Sequence, residues 1–179
     1  MFKLLSFKKK YTLKDLVISS FLCALSIILT RVLKIESASF RFSFGFVPIL
    51  ISGAIQGPLL AAMTASVADL LGIIIQGGNI HLGYTLSSAI SGCIFGLMLY
   101  RKEKNIFLIG MTHFLNTFII SIVLNTFWTY SLQGGDYWEL LKLRVVLNIP
   151  VFVVRILVTY LVYVYIIETT RKWNMIDNV

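Results

Sequence analysis

An all-α, polytopic membrane bundle of six transmembrane helices, with both termini on the cytoplasmic side, is the fold class this sequence predicts. Three observations carry the prediction. The 179 residues are 58% hydrophobic and only 13% charged, with a mean hydropathy of +0.86; a soluble domain averages about 45–50% and about 25%. The apolar residues gather into runs that suit spans of about 20 residues, separated by short polar or glycine-containing stretches. The basic residues fall mostly on one side of the alternating runs. So much apolar sequence excludes a disordered chain. With 3 prolines and 12 glycines, a collagen-like or low-complexity chain is excluded as well.

The elements follow in order. Met1 to Lys14 is a basic, amphipathic lead, of which residues 1–12 are assigned to the cytoplasm. It leads into a first helix over about Leu13–Leu33. That run is longer than a signal-peptide core and further spans follow, so it is read as a retained helix. A polar stretch, Lys34 to Ser43, comes next. The second helix, about Gly45–Gln56, is too short to span upright and is expected to be broken or to begin within the preceding loop. Gln56-Gly57-Pro58 is a turn, with Pro58 suited to open the third helix, which runs to about Ile75. Gly77, Gly78 and Asn79 mark a loop, and the fourth helix covers about Gly83–Tyr100. Arg101 to Asn105 is a charged loop before the fifth helix, Ile106 to about Tyr130. A glycine turn within Gln133–Asp136 precedes the sixth, about Tyr137–Glu168, where Pro150 offers a kink site. Residues 171–179 form a cytoplasmic tail, and the chain is one integral membrane domain with no room for a soluble catalytic one.

Orientation comes from the basic residues. With the N-terminus inside, Lys3, Lys8, Lys9, Lys10, Lys14, Arg101, Lys102, Lys104, Arg171 and Lys172 are cytoplasmic, ten of the 16 present. The net charge of +8 therefore reads as topology and contact with anionic lipid, not as a nucleic-acid surface. Cys23 and Cys93 both lie in apolar runs and read as packing residues.

Ionisable groups inside a membrane are costly and mark function by default. Asp69 falls in the third helix; Arg144 and Asn148, four apart, share a face of the sixth. At similar depth, Asp69 and Arg144 are placed to meet, as a buried ion pair or as parts of a polar pocket open to the outside. Arg155 is deeper, and snorkelling or partner contact is expected for it rather than ligand contact. His113 and Asn116 read as interhelical hydrogen-bond groups, since a lone histidine makes a poor metal site. Asn125 and Trp128, three apart at the outer end of the fifth helix, suit a pocket; for Trp128 and Trp138 the alternative is an interfacial belt. The outer loops are aromatic, with Phe40, Arg41, Phe42 and Phe44, then His81 and Tyr84, then Tyr137 and Trp138. Aromatics with scattered polar groups line small-molecule sites. Ser20 and Ala24 on the first helix, Ala61 and Ala65 on the third, and Ser88, Gly92 and Gly96 on the fourth are small residues four apart that allow close helix approach. No P-loop, zinc-protease or nucleophile-elbow motif occurs in the sequence, so neither catalysis nor a metal or organic cofactor is expected, and any ATP must be bound by another chain.

The run Arg41-Phe-Ser-Phe-Gly-Phe-Val-Pro-Ile-Leu, then Gly53-Ala-Ile-Gln-Gly-Pro58, Ala68-Asp-Leu-Leu-Gly72, Gly83-Tyr-Thr-Leu-Ser-Ser-Ala-Ile-Ser-Gly92 and Leu141-Lys-Leu-Arg-Val-Val-Leu-Asn-Ile-Pro150 resembles the substrate-binding (S) components of energy-coupling factor (ECF) vitamin transporters, the folate family above all. The resemblance runs from about Leu13 to Thr170. It implies a non-catalytic subunit of a bacterial plasma membrane that captures a vitamin from outside. Such a subunit docks on a transmembrane coupling subunit with two ATPases, then topples to deliver its ligand inward. It implies docking through Ser20 and Ala24, with Ser in place of the commoner Ala, and outer loops that gate the pocket. For folate, Asp69, Asn125 or Asn148 would meet the pterin edge and Arg41 or Arg144 the glutamate tail, with Phe44, His81, Tyr84 and Trp128 as the aromatic and polar lining. A sister ligand (riboflavin, thiamine or its precursor, a queuosine precursor) is the alternative of the same class. A small intramembrane enzyme using Asp69 and His113, or an assembly protein without a ligand, is the alternative of another class.

Overall fold

The computed structural model describes residues 12–32, 34–37, 40–77, 81–102 and 105–167. The basic lead before Thr12, Lys104, Arg171, Lys172 and the expected 171–179 tail lie outside the described residues. Every long element is a helix: α1 (Leu13–Val32), α2 (Phe46–Gln56), α3 (Pro58–Gln76), α4 (Leu82–Leu99), α5 (Ile106–Gln133) and α6 (Tyr137–Val162), the last continuing as a π turn over Tyr163–Ile167. All but α2 are long and apolar enough to cross a membrane. Their outward faces carry large apolar side chains such as Phe21, Ile75, Phe107 and Leu157, the surface lipid requires. The protein is thus a multi-pass helical membrane protein.

The polar stretch after α1 departs from the loop expected. It forms an antiparallel hairpin, β1 (Lys34–Ser37) and β2 (Phe40–Ser43), in the register Lys34↔Ser43, Ile35↔Phe42, Glu36↔Arg41 and Ser37↔Phe40. It packs against α1, and β2 also packs against α6. Backbone placed among helices must satisfy its own polar groups, and pairing two short strands does so where water is scarce. The chain re-enters the bundle along this hairpin. Ser26 Oγ, well below the C-terminal end of α1, donates to Gly45 O at 2.8 Å. Hence α2 begins part-way through the bundle and is short for that reason.

One end of the bundle is closed by polar clamps. Thr12 and Asp15 cap α1 reciprocally, Thr12 N donating to Asp15 Oδ2 at 3.0 Å and Asp15 N to Thr12 Oγ1 at 3.3 Å. Gln56 accepts from Ser19 and Ser52 and donates to Asp15 O at 2.7 Å. Above this clamp lies the core of Leu22, Leu50, Ile51, Ala54, Phe95, Leu99, Ile109, Val162 and Tyr163. Small residues set the spacing of α3 and α4, as their four-residue recurrence predicts: a Cβ on Gly96 would stand 2.2 Å from Pro58 Cα, and one on Gly92 2.4 Å from Ala61 O. This is the Gly57 end of the bundle.

α5 is not uniform. Thr117–Leu124 is a π-helix between two α-helical halves. At about 100° per residue, twelve residues of α-helix would turn Trp128 about 120° away from Asn116. Bonding to the fifth residue instead of the fourth slows the rotation. As a result both halves address α4: Asn116 Nδ2 donates to Ser91 Oγ at 2.8 Å and Trp128 Nε1 to Ser87 Oγ at 3.1 Å.

Candidate functional site

At the end opposite Gly57, the N-termini of α4 and α6 meet the C-terminal half of α5. Gly83 makes this possible. A Cβ there would stand 2.5 Å from Trp128 Cδ2, so only glycine lets the indole lie against α4. His81 joins the cluster, its ring 5.6 Å from Trp128 and 5.4 Å from Tyr84, edge-on to both. His81, Leu82, Gly83, Leu86 and Trp128 line an open recess of about 510 Å³. Its walls are mainly apolar and aromatic, suited to a flat ring.

Below the aromatic mouth is a polar relay centred on Thr129. Its hydroxyl donates to Asn125 O at 2.7 Å. Its single proton thus spent, it accepts from Arg144 Nη2 at 2.5 Å and from Tyr84 OH at 2.9 Å. Arg144 Nη1 reaches Ser121 O at 3.4 Å, while Arg144 Nε and Asn125 Oδ1 are buried without a partner among the described residues. Asn148 Nδ2 donates to Arg144 O at 2.8 Å. Arg144 is therefore held by neutral acceptors alone. Its positive charge meets no carboxylate among the described residues, which leaves a cation available to an anionic group.

The residues singled out from the sequence divide accordingly. His81, Tyr84, Asn125, Trp128, Arg144 and Asn148 come together at this end. Asp69 does not meet Arg144; its Oδ2 accepts from Thr85 Oγ1 at 2.9 Å, between α3 and α4. The reason is angular: Thr85 lies on the side of α4 that faces α3, and Tyr84 on the side that faces α5. Phe44 is half-buried in the turn between β2 and α2. Arg41 pairs with Glu36 in the hairpin ladder, and its side chain lies outside the described residues. Trp128 and Trp138 part company, Trp128 being half-buried and bonded to Ser87 while Trp138 is 66% exposed. His113 and Asn116 serve between helices as expected: His113 Nε2 is 2.7 Å from Thr159 Oγ1. Ser20 and Ala24 are both exposed on α1. The Ser20 hydroxyl bonds back to Leu16 O at 2.9 Å, so the extra oxygen is consumed within the helix and the face stays small.

Sequence reasoning missed Thr129, Ser87, Ser121 and Gly83. Thr129 had a signal, standing one turn after Asn125; Ser87 and Ser121 had none. No three His, Cys, Asp or Glu side chains gather as for a metal among the described residues.

Comparison with known proteins fits this architecture. A family model described as the ECF transporter, substrate-specific component, matches residues 14–167. A protein named folate transporter FolT from Clostridium novyi (strain NT) is 29% identical over 163 residues, 90% of this chain and 89% of that protein. Another of the same name from Leuconostoc mesenteroides subsp. mesenteroides is 25% identical over 172 residues, covering 91% and 92%. The crystal structure of a FolT bound with folic acid superposes with a TM-score of 0.80 at 24% identity, covering 85% of this chain and 93% of that one. At that identity the likeness establishes a shared fold. The matched family is one of transport components and not of enzymes. With the family model matched over residues 14–167 and a relative aligned over 90% of its length, this chain belongs to the ECF transporter substrate-specific components.

Proposed function

We propose that this chain is the folate-binding subunit of an ECF importer, capturing folate outside the cell and releasing it inward once docked. What carries the reading is the nearly full-length likeness to two folate transporters, joined to a site whose chemistry suits folate. The recess at His81 and Trp128 takes a flat ring, and Arg144 offers a cation within reach of an acidic group. In this reading His81, Tyr84, Asn125, Trp128, Arg144 and Asn148 line the ligand, Phe44 and Arg41 cover it from the hairpin, and Asp69 stands behind the wall through Thr85. The chain is one domain of six membrane-embedded helices with both termini in the cytoplasm of a bacterium. The basic lead and the Arg101–Lys104 loop then lie inside, and the recess outside. Ser20 and Ala24 dock on a transmembrane coupling subunit, and two partner ATPases bind the ATP. The subunit itself needs no cofactor.

The test is titration of the purified protein in detergent, following Trp fluorescence with folic acid, riboflavin and thiamine in turn. Saturable, stoichiometric quenching by folic acid alone is expected. Saturation by riboflavin or thiamine instead keeps the transporter family and sinks the folate assignment.

A further inference from the structure

A second cation lies on the same face of α6 and has no counterpart in the site described above. Arg155 follows Arg144 by eleven residues, three turns of helix and about 16 Å along the axis. The two are held differently. Both terminal nitrogens of Arg144 have acceptors. Arg155 has no hydrogen-bond acceptor and no carboxylate among the described residues, and its Nε is buried. Its guanidinium lies over the Phe46 ring, 5.7 Å from guanidinium carbon to ring centroid. Phe46 is the first residue of α2, where the hairpin ends. Phe46 also lies edge-to-face with His113, centroids 5.8 Å apart, and Phe95 lies edge-to-face with the same imidazole at 5.7 Å. His113 Nδ1 is also buried without a partner among the described residues. Snorkelling or partner contact is the sequence expectation for this position; the contact of its guanidinium with Phe46 points inward along α2 instead.

A contact with one aromatic face offsets only part of the cost of removing a cation from water. It also leaves the guanidinium edge, with its five N–H donors, unused. Intramembrane arginines of this kind line substrate paths. We propose that Arg155 is a deep ligand subsite, its guanidinium fork taking a coplanar pair of acceptor atoms from the bound molecule. The inference rests on the folate reading for its ligand. Folate presents such a pair twice: as a carboxylate of the glutamate tail, and as the 4-oxo and N5 atoms of the pterin. The second pair repeats the O6/N7 pattern of guanine that arginine reads in DNA. Arg144 and Arg155, spaced along one helix face, then grip an elongated ligand at two depths. A lysine would retain the charge and lose the fork.

The experiment uses the full-length protein in detergent and compares the wild type with Arg155→Lys and Arg155→Gln. Calorimetry measures binding of folic acid, p-aminobenzoyl-glutamate and 6-methylpterin, and melting is followed without ligand. Arg155→Lys is expected to weaken folic acid by about tenfold or more while the ligand-free melting point stays within about 3 °C. If the loss falls on p-aminobenzoyl-glutamate alone, the subsite takes the tail; if on 6-methylpterin alone, it takes the ring edge. Either outcome supports the subsite. Folic acid binding within about twofold of wild type in both variants overturns it. So does a loss accompanied by an equal fall in ligand-free stability, the signature of a structural cation. A wild type that binds riboflavin and not folic acid overturns the folate reading by itself, and the same variants are then scored with riboflavin, whose ring carries the same edge. A wild type that binds neither overturns both.

Discussion

The two ends of the bundle are built on opposite rules. At the Gly57 end, backbones touch through Gly92, Gly96 and Ala61, and the polar groups of Asp15, Ser19, Ser52 and Gln56 are bonded to one another. At the Trp128 end the polar groups outnumber their partners. Arg144 Nε, Asn125 Oδ1 and His81 Nδ1 are buried and unmatched among the described residues, and an aromatic recess stands open. Leaving buried polar atoms unmatched costs about 1–3 kcal/mol each, so a chain concerned only with stability would have removed them. The contrast teaches that one end holds the fold while the other is kept ready for a ligand at the fold's expense.

Substitutions can break this contrast or sharpen it. The largest effect is expected from Gly96→Val at the tight end. Its side chain has no space beside Pro58, and a loss of about 3 kcal/mol or more is expected, seen as a collapse of the melting point in detergent whether or not ligand is present. Next is Arg144→Gln at the open end, where about 2 kcal/mol of ligand affinity, roughly thirtyfold, should vanish with ligand-free melting preserved. A variant that melts early instead would make Arg144 a structural residue and erase the contrast. Gly83→Val should drive Trp128 off α4 and cost about tenfold in affinity, with a shift in the Trp emission maximum of the ligand-free protein. The smallest effect belongs to Asp69→Asn. It weakens the bond from Thr85, an interhelical hydrogen bond of a kind worth about 0.6 kcal/mol, and should leave folic acid affinity within about twofold; a larger loss would return Asp69 to the site.

Most of the fold was legible because lipid simplifies the code. Apolar runs fix the helices, and Pro58 marks the start of α3; the structure adds caps not read from the sequence, Asn105 Oδ1 accepting from Phe107 N and Asp136 Oδ1 from Trp138 N, both at 2.9 Å. The hairpin was not foreseen. Lys34–Ser43 is polar and short, so its tendency to pair could not be distinguished from a solvated loop. The aromatic, arginine and asparagine members of the candidate site were visible as residues that lipid does not want. Their grouping was less so, since it depends on the π segment of α5. No residue in Thr117–Leu124 announces that segment, and its sequence is as suited to α-helix. Under plain α periodicity Asp69 was a fair partner for Arg144; the true neighbour, Thr129, is a residue that usually needs no explanation.

The hairpin carries one more consequence. A two-stranded ribbon pairs its backbone groups along the shared seam; the far edge of each strand has no further strand beside it among the described residues. Hydrocarbon cannot bond the backbone groups of such an edge. Wherever β1 and β2 travel between α1 and α6, a polar film must therefore travel with them. The depth to which the ribbon can sink is thus set by what can bond its outer edges, a demand that the headgroup layer meets and hydrocarbon does not.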